Sequence, residues 1–337
     1  MNKEQKLSLD KPVLVTGASG FMGSHVTRLL VQQGRKVRVL VRKTSNTQAF
    51  ADLAVEIFYG DVLQPETLHA AIEGCCSIFY NVLDPRFWLS DPEPLFRNNV
   101  EGLVNTMDIA LSKGIERFIF TSSMGTLGFN PNGPVTEEIE FNWYDRASPY
   151  FMARLKAEQE LLRYSREKGL PGMALCIANT YGPQDFQPTP HNGMLGKMAR
   201  GQERVTLDAC QPTIDIRDAA EAALLAERYG RVAERYIIAN EYISNREFFT
   251  LATELGGQRP PIVIPQWFAY GVAWMAERFY KLLGKKDNIV STDAVYLSNC
   301  FKVMDSSKAR TELGWSPRPI SETIADAVAW FNLPTDD

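Results

Sequence analysis

Histidine is scarce in this chain of 337 residues: there are 3, His25, His69 and His191, and no spacing groups them as metal ligands. No metal centre is expected. The five cysteines, Cys75, Cys76, Cys176, Cys210 and Cys300, are odd in number, scattered and without a repeated CxxC, which argues against a disulfide framework or a zinc site. They read as reduced thiols of a cytoplasmic protein. A cationic excess is missing too: 36 Lys plus Arg stand against 40 Asp plus Glu, a net charge of -4, so the chain as a whole has nothing to draw nucleic acid to it. No uninterrupted apolar run approaches the ~18 residues of a membrane span. The opening MNKEQKLSLD holds no apolar signal core. The expected protein is neither secreted nor membrane-spanning. What the chain does have, 45% apolar and 23% charged residues, is ordinary globular material sufficient for two cores.

From Pro12 onward, short β-branched runs alternate with longer stretches of helical period. Strands are predicted over residues 13–16, 37–41, 55–58, 77–82, 118–121 and 173–177. Between them, Val100, Leu103, Val104, Met107 and Leu111 form one apolar stripe at helical spacing. Six such strands joined by right-handed crossovers make a doubly wound parallel sheet, an α/β fold of Rossmann type.

Gly17, Gly20 and Gly23 stand at i, i+3 and i+6, directly after the first strand and before an amphipathic helix. In that setting Gly17 permits a tight turn, Gly20 lets amides approach a pyrophosphate, and Gly23 allows close helix packing. Gly17, Ser19, Gly20, Phe21, Met22 and Gly23 are therefore the expected dinucleotide loop. An NAD site usually places a carboxylate at the end of the second strand, and none is present there. The chain reads Val41-Arg42-Lys43-Thr44-Ser45, two cations with hydroxyls, which favours NADP over NAD. After the third strand, Asp61 and Val62 could face adenine, or Asp61 could cap the next helix.

The prolines Pro183, Pro188 and Pro190 break the pattern after Asn179, before a helix and strand over residues 218–238 return to the sheet. Residues 11–178 plus 212–240 are the expected dinucleotide-binding unit. Residues 179–211 plus 241–337 are the expected smaller, mostly helical substrate unit, with helices over 266–283 and 320–331 and Gly284 as a helix stop.

Residues 118–125 deliver Thr121, Ser122 and Ser123 to the carboxyl edge of the sheet. A helix beginning near Ser148 carries Tyr150 and Arg154 four residues apart on one face, whereas Lys156 points away. A phenol with a pKa of ~10 exchanges protons near neutrality only when a cation lowers that value. Arg154 can supply the field, Ser123 a hydrogen bond to the reacting oxygen, and Tyr150 the proton, beside a nicotinamide that exchanges the hydride.

With these residues in place, the chain resembles the extended short-chain dehydrogenase/reductase superfamily, the NAD-dependent epimerase/dehydratase family. The motifs TGASGFMG, GDV, NNVEGLVNTMDIA, RFIFTSSMGTLG, SPYFMARLKAE, NTYGP, DIRDAAEA and MDSSKARTELGWSPRPISE cover nearly the whole chain in order. It is most similar to the dihydroflavonol-reductase-like and 3β-hydroxysteroid-dehydrogenase-like branches. The resemblance implies that Ser123 and Tyr150 are the catalytic pair and that Asn99 is the asparagine of the family's NV-G motif. Two departures stand out. The family's YxxxK is Tyr150-Phe151-Met152-Ala153-Arg154 here, and Tyr80-Asn81-Val82 replaces a common His-x-Ala. Arginine keeps the charge of lysine but is wider and planar.

Nucleotide-sugar members place an arginine just before the segment matching residues 213–218, where this chain reads Ala209-Cys210-Gln211-Pro212. Arg204 or Arg217 could compensate. Phe87, Trp88, Met124, Trp143, Tyr144, Phe186, Met194 and Met198 suggest an apolar pocket, although each could instead pack a core. Asn179 could bind substrate or cap a turn. The stretch from Trp267 to Met275, followed by Lys281, Lys285 and Lys286, could associate with a membrane surface, but packing over the substrate unit is favoured. Relatives dimerise through helices matching residues 98–112 and 149–166, so a homodimer is possible.

The expected activity is an NADP-dependent interconversion of ketone and secondary alcohol on a hydrophobic small molecule of sterol, flavonoid or acyl type. The alternatives are a nucleotide-sugar epimerase or dehydratase, and a cofactor-binding protein with weak or no catalysis.

Overall fold

A computed structural model describes residues 7–86, 89, 91–282 and 292–333. Its strands are β1 Val13–Thr16, β2 Val37–Val41, β3 Glu56–Tyr59, β4 Ser77–Tyr80, β5 Arg117–Ser123, β6 Gly172–Ile177, β7 Asn179–Tyr181, β8 Val205–Leu207, β9 Cys210–Asp215, β10 Arg235–Ile238, β11 Glu241–Ser244 and β12 Ile262–Ile264. The helices are α1 Phe21–Gln32, α2 His69–Ile72, α3 Glu93–Phe96, α4 Gly102–Ser112, α5 Pro149–Glu167, α6 Pro190–Ala199, α7 Ile216–Tyr229, α8 Asn245–Leu255, α9 Gln266–Leu282, α10 Thr292–Cys300, α11 Ser307–Leu313 and α12 Ile320–Phe331.

Seven of these strands form one parallel sheet in the order β10-β6-β5-β4-β1-β2-β3. Each central strand is buried on both faces, which explains its unbroken apolar run. Val13 and Val15 join one core with Val26 and Leu30 of α1 and Ala223 of α7, while Leu14 joins the other with Leu103 and Met107 of α4 and Leu161 of α5. Phe118 and Phe120 likewise face the second core and Ile119 the first. The alternation comes from the two-residue period of a strand. Strand order reverses between β1 and β4, and ligands of such sheets bind in the crevice at that switch point.

The predicted strands are found with small shifts. β3 sits one residue later than expected, and β4 stops at Tyr80, two residues short of the expected end. The strand expected to return to the sheet by residue 238 is β10, the seventh strand, beside β6. The apolar stripe of α4 packs as predicted, with Leu103 and Met107 fully buried.

Beyond β6, β9 pairs parallel with β7 and antiparallel with β11, and β12 pairs with β8. β9 runs across residues 211 and 212, so the two proposed units share a strand. Tyr181, Phe248 and Phe331 gather α6, α8 and α12 around a separate apolar cluster. Met198 belongs to that cluster and Trp143 to an aromatic one with Phe141, so both pack cores, whereas Met194 is exposed. Gly284, Lys285 and Lys286 lie outside the described residues.

His25 of α1 is buried, with Nε2 3.1 Å from the Pro183 carbonyl, tying the sheet layer to the loop after β7. Burial lowers its pKa to about 4, against a partial rise from the Pro183 bond. The unfolded chain therefore binds a proton that the fold excludes. Stability from this residue is present above about pH 6.5 and is lost as pH falls toward 4, by about 3 kcal/mol in all. His25→Gln retains an amide donor for Pro183 and is expected to remove that slope. Urea unfolding of both proteins across this pH range measures it, and parallel slopes would discard the assignment.

Candidate active site

The switch point brings the glycine turn against the end of β4. Gly17 has φ +68°, and a Cβ added there would lie 2.6 Å from the Asn81 carbonyl oxygen. A Cβ on Gly23 would overlap the Gly17 carbonyl. Only glycine fits both places, so the turn holds its backbone at the mouth of the crevice, with α1 starting at Phe21. Gln187 donates to the Ser19 carbonyl at 3.3 Å and so fastens the loop after β7 to this turn.

Asn81 joins three strand ends: its Nδ2 donates to the Thr16 and Phe79 carbonyls, and its Oδ1 accepts from Thr121 Oγ1 at 2.6 Å. Asn81 stands at the variable position of His-x-Ala; the departures themselves are Tyr80, fully buried, and Val82. Arg42 and Lys43, after β2, are exposed, and among the described residues no hydrogen bond or ion pair holds either side chain. Asp61 spends Oδ1 on the Leu63 N–H at 3.0 Å, a local turn cap, and Val62 is buried against Gly102. Asn99, fully buried in a π-helical turn over Arg97–Glu101, accepts from the Asp84 N–H at 2.9 Å. Its visible work is to position the loop after β4.

At the end of β5, alternate residues point in opposite directions. Ser122 is buried and donates to Glu158, whereas Ser123 is half-buried with Oγ accepting from the Gly125 N–H at 3.1 Å. Helix α5 carries Tyr150, half-buried and, among the described residues, with no hydrogen bond to its hydroxyl. One turn further on, Arg154 is 1% exposed; Nη2 donates to the Thr121 carbonyl, and the guanidinium carbon lies 5.0 Å from the centre of the Phe120 ring. Its Nε and Nη1 are buried without a partner. Lys156 faces outward and pairs with Glu160 at 2.8 Å.

Burial raises the Tyr150 phenol above its ordinary pKa, Arg154 pulls it back, and Asp84 adds to the rise. Asp84 is itself buried, which favours its neutral form. The Arg86 and Asn98 hydrogen bonds, at 2.5, 2.8 and 2.7 Å, nevertheless hold its carboxyl below the usual range. Tyr80 is a second buried phenol near this guanidinium; burial raises its pKa, and its hydroxyl has no partner.

Of the expected substrate residues, Met124 is buried, Tyr144 is 55% exposed against Phe141, and Phe186 stands edge-on to Trp330 at 5.1 Å. Asn179 donates to Gln211 at 3.1 Å. Phe87 and Trp88 lie outside the described residues. Arg217 is held by Asp215 and Asp326, both at 2.7 Å, and is not free for a substrate phosphate. Among the described residues no group of three or more His, Cys, Asp or Glu could hold a metal ion, and no helix is long and apolar enough to cross a membrane.

Sequence reasoning missed Glu158 and Arg235, an ion pair at 3.2 Å that fastens α5 to β10. Glu158 also accepts from Thr126 at 2.7 Å and from the Cys176 thiol, whose pKa is raised by burial and by this carboxylate. An arginine opening the apolar run of β10 was the available signal. Asp84 and Arg86 left no trace in the sequence pattern.

The glycine turn and the two unpartnered donors of Arg154 fit a dinucleotide at the switch point, since a cofactor ribose offers acceptors for buried N–H groups. Residues 13–239 match the NAD dependent epimerase/dehydratase family. The chain is 31% identical to Sterol demethylase protein B of Methylococcus capsulatus, over 94% of this chain and 97% of that one. It is 28% identical to Dihydroflavonol 4-reductase of Zea mays over 76% of each chain. The crystal structure of gox2253 superposes with a TM-score of 0.85 at 34% identity, covering 95% of this chain and 97% of that one. The chain belongs to the NAD-dependent epimerase/dehydratase family and is an NAD(P)-dependent oxidoreductase of the extended short-chain dehydrogenase/reductase type.

Proposed function

We propose that this protein uses NADP to interconvert a ketone and a secondary alcohol on a hydrophobic small molecule. The observation that carries the reading is the buried guanidinium of Arg154, two donors unspent, one helical turn from a half-buried Tyr150 whose hydroxyl has no hydrogen bond among the described residues. The turn formed by Gly17, Ser19, Gly20, Phe21, Met22 and Gly23 would hold the pyrophosphate, and Arg42 with Lys43 the 2′-phosphate. A bound nicotinamide supplies the hydride. Ser123 orients the reacting oxygen through its hydroxyl, and Tyr150 passes the proton to it in reduction or takes it back in oxidation. Arg154, anchored on the Thr121 carbonyl, counters the rise that burial imposes on the phenol. The relatives' names speak of a sterol and a dihydroflavonol, which supports a ring system as substrate.

Fluorescence titration is expected to give NADPH an affinity at least about tenfold above NADH, the value of one charge-assisted contact of about 1.4 kcal/mol. Exchanging both cations, Arg42→Glu with Lys43→Glu, should reverse the order. Equal affinities in the unaltered protein would overturn the NADP assignment. Net NADPH consumption against a panel of lipophilic ketones tests the reaction. A cofactor retained without net consumption would point to epimerisation instead.

A further inference from the structure

Helix α9 is inverted relative to an ordinary surface helix. Its small residues Ala269 and Ala273 are the buried ones, packed with Val295 of α10 and with Leu207 and Ile264. Its large residues face solvent: Trp267, Phe268, Trp274, Met275 and Phe279 are 75, 49, 47, 59 and 61% exposed. At 3.6 residues per turn these positions, with Arg278, share one continuous arc. The packing over the substrate unit favoured from the sequence is thus made by alanines, and the aromatic stripe is left uncovered.

Charge on this face is one-sided. Arg278 lies 4.2 Å over the Trp274 ring. The only carboxylate of the helix, Glu277, accepts from the Thr292 N–H and hydroxyl at 2.7 and 3.0 Å and is turned toward α10. Lys281, in the last turn of α9, adds a second cation to the helix. Local basicity contrasts with the net charge of -4. A second copy meeting this face with the same face would bring like charges together, with Glu277 already engaged by Thr292. Aromatic side chains with flanking Lys and Arg match the interfacial zone of an anionic bilayer.

We infer that α9 docks this protein on an anionic lipid surface, with its rings at headgroup level and the acidic bulk of the molecule directed away. The inference concerns a partner and does not depend on the reaction proposed above. Sedimentation with equimolar phosphatidylcholine–phosphatidylglycerol vesicles is expected to remove the full chain from the supernatant, with a blue shift of tryptophan fluorescence. Pure phosphatidylcholine vesicles should bind at least about tenfold less, and added salt should release the protein. The triple variant Trp267→Ser, Phe268→Ser, Met275→Ser should lose sedimentation while keeping its unfolding midpoint and NADPH affinity. Protein left in the supernatant with the anionic vesicles overturns the inference. So does equal binding to neutral vesicles, or a dimer in solution that the triple variant converts to monomer, since that would make the face a contact between copies.

Discussion

Replacing Arg154 by methionine is expected to lower kcat by about 10³-fold while leaving the fold intact or slightly more stable. The two effects share a cause. A guanidinium that is 1% exposed with two nitrogens unpartnered is costly to bury, and an apolar side chain of similar length removes that cost. The same substitution deletes the one influence that lowers the Tyr150 phenol, so burial and Asp84 push its pKa up unopposed. A protonated phenol far above its working range transfers its proton slowly, a loss of about 10²–10⁴ for general acid–base catalysis. The alkaline limb of the kcat/KM profile should move to higher pH, because the phenol then stays protonated further up the scale. Arg154→Lys keeps the cation and should recover most of the rate. Steady-state kinetics of the three proteins decide the matter: a methionine variant with unchanged turnover would falsify the role assigned to the guanidinium. If the unaltered protein is inert and the lysine variant active, the protein binds cofactor without catalysis.

The largest stability loss is expected from Glu158→Ala, at about 3–5 kcal/mol, against a typical total of about 5–15 kcal/mol. Glu158 is 2% exposed and accepts from Ser122, Thr126, Cys176 and Arg235. Removing it leaves Arg235 mostly buried, with carbonyl partners from Glu137 and Ile139 and the Glu137 carboxylate, which makes no ion pair with it, as remaining counter-charge. The double variant Glu158→Met with Arg235→Met should regain much of the loss, since apolar side chains replace a buried pair at little cost. Urea midpoints measure both. A single variant within 1 kcal/mol of the parent, roughly the value of a surface pair, would mean that this carboxylate does not hold α5 to the sheet. Because Arg154 stands one turn before Glu158 on α5, the stability and activity tests probe the two ends of one support.

The parallel sheet was legible in the sequence because its central strands are buried on both faces, so Val13 to Val15 reads as an unbroken apolar run and Val37 to Val41 as one interrupted only by Arg38. The glycine turn was legible for a local reason as well: positive φ at Gly17 and the close approach of Gly23 to it exclude side chains whatever surrounds them. The stripe of α4 and the shared face of Tyr150 and Arg154 follow from helical spacing alone. Tertiary structure decided which of two adjacent serines turns inward, and it joined Asn81 to Thr16 and Thr121. It also left the aromatic side of α9 uncovered while alanines packed. Those outcomes depend on partners distant along the chain, such as Glu158 for Ser122, or Val295 and Ile264 for Ala273. A periodic pattern records that a residue is apolar or charged, but only the folded chain fixes what it meets.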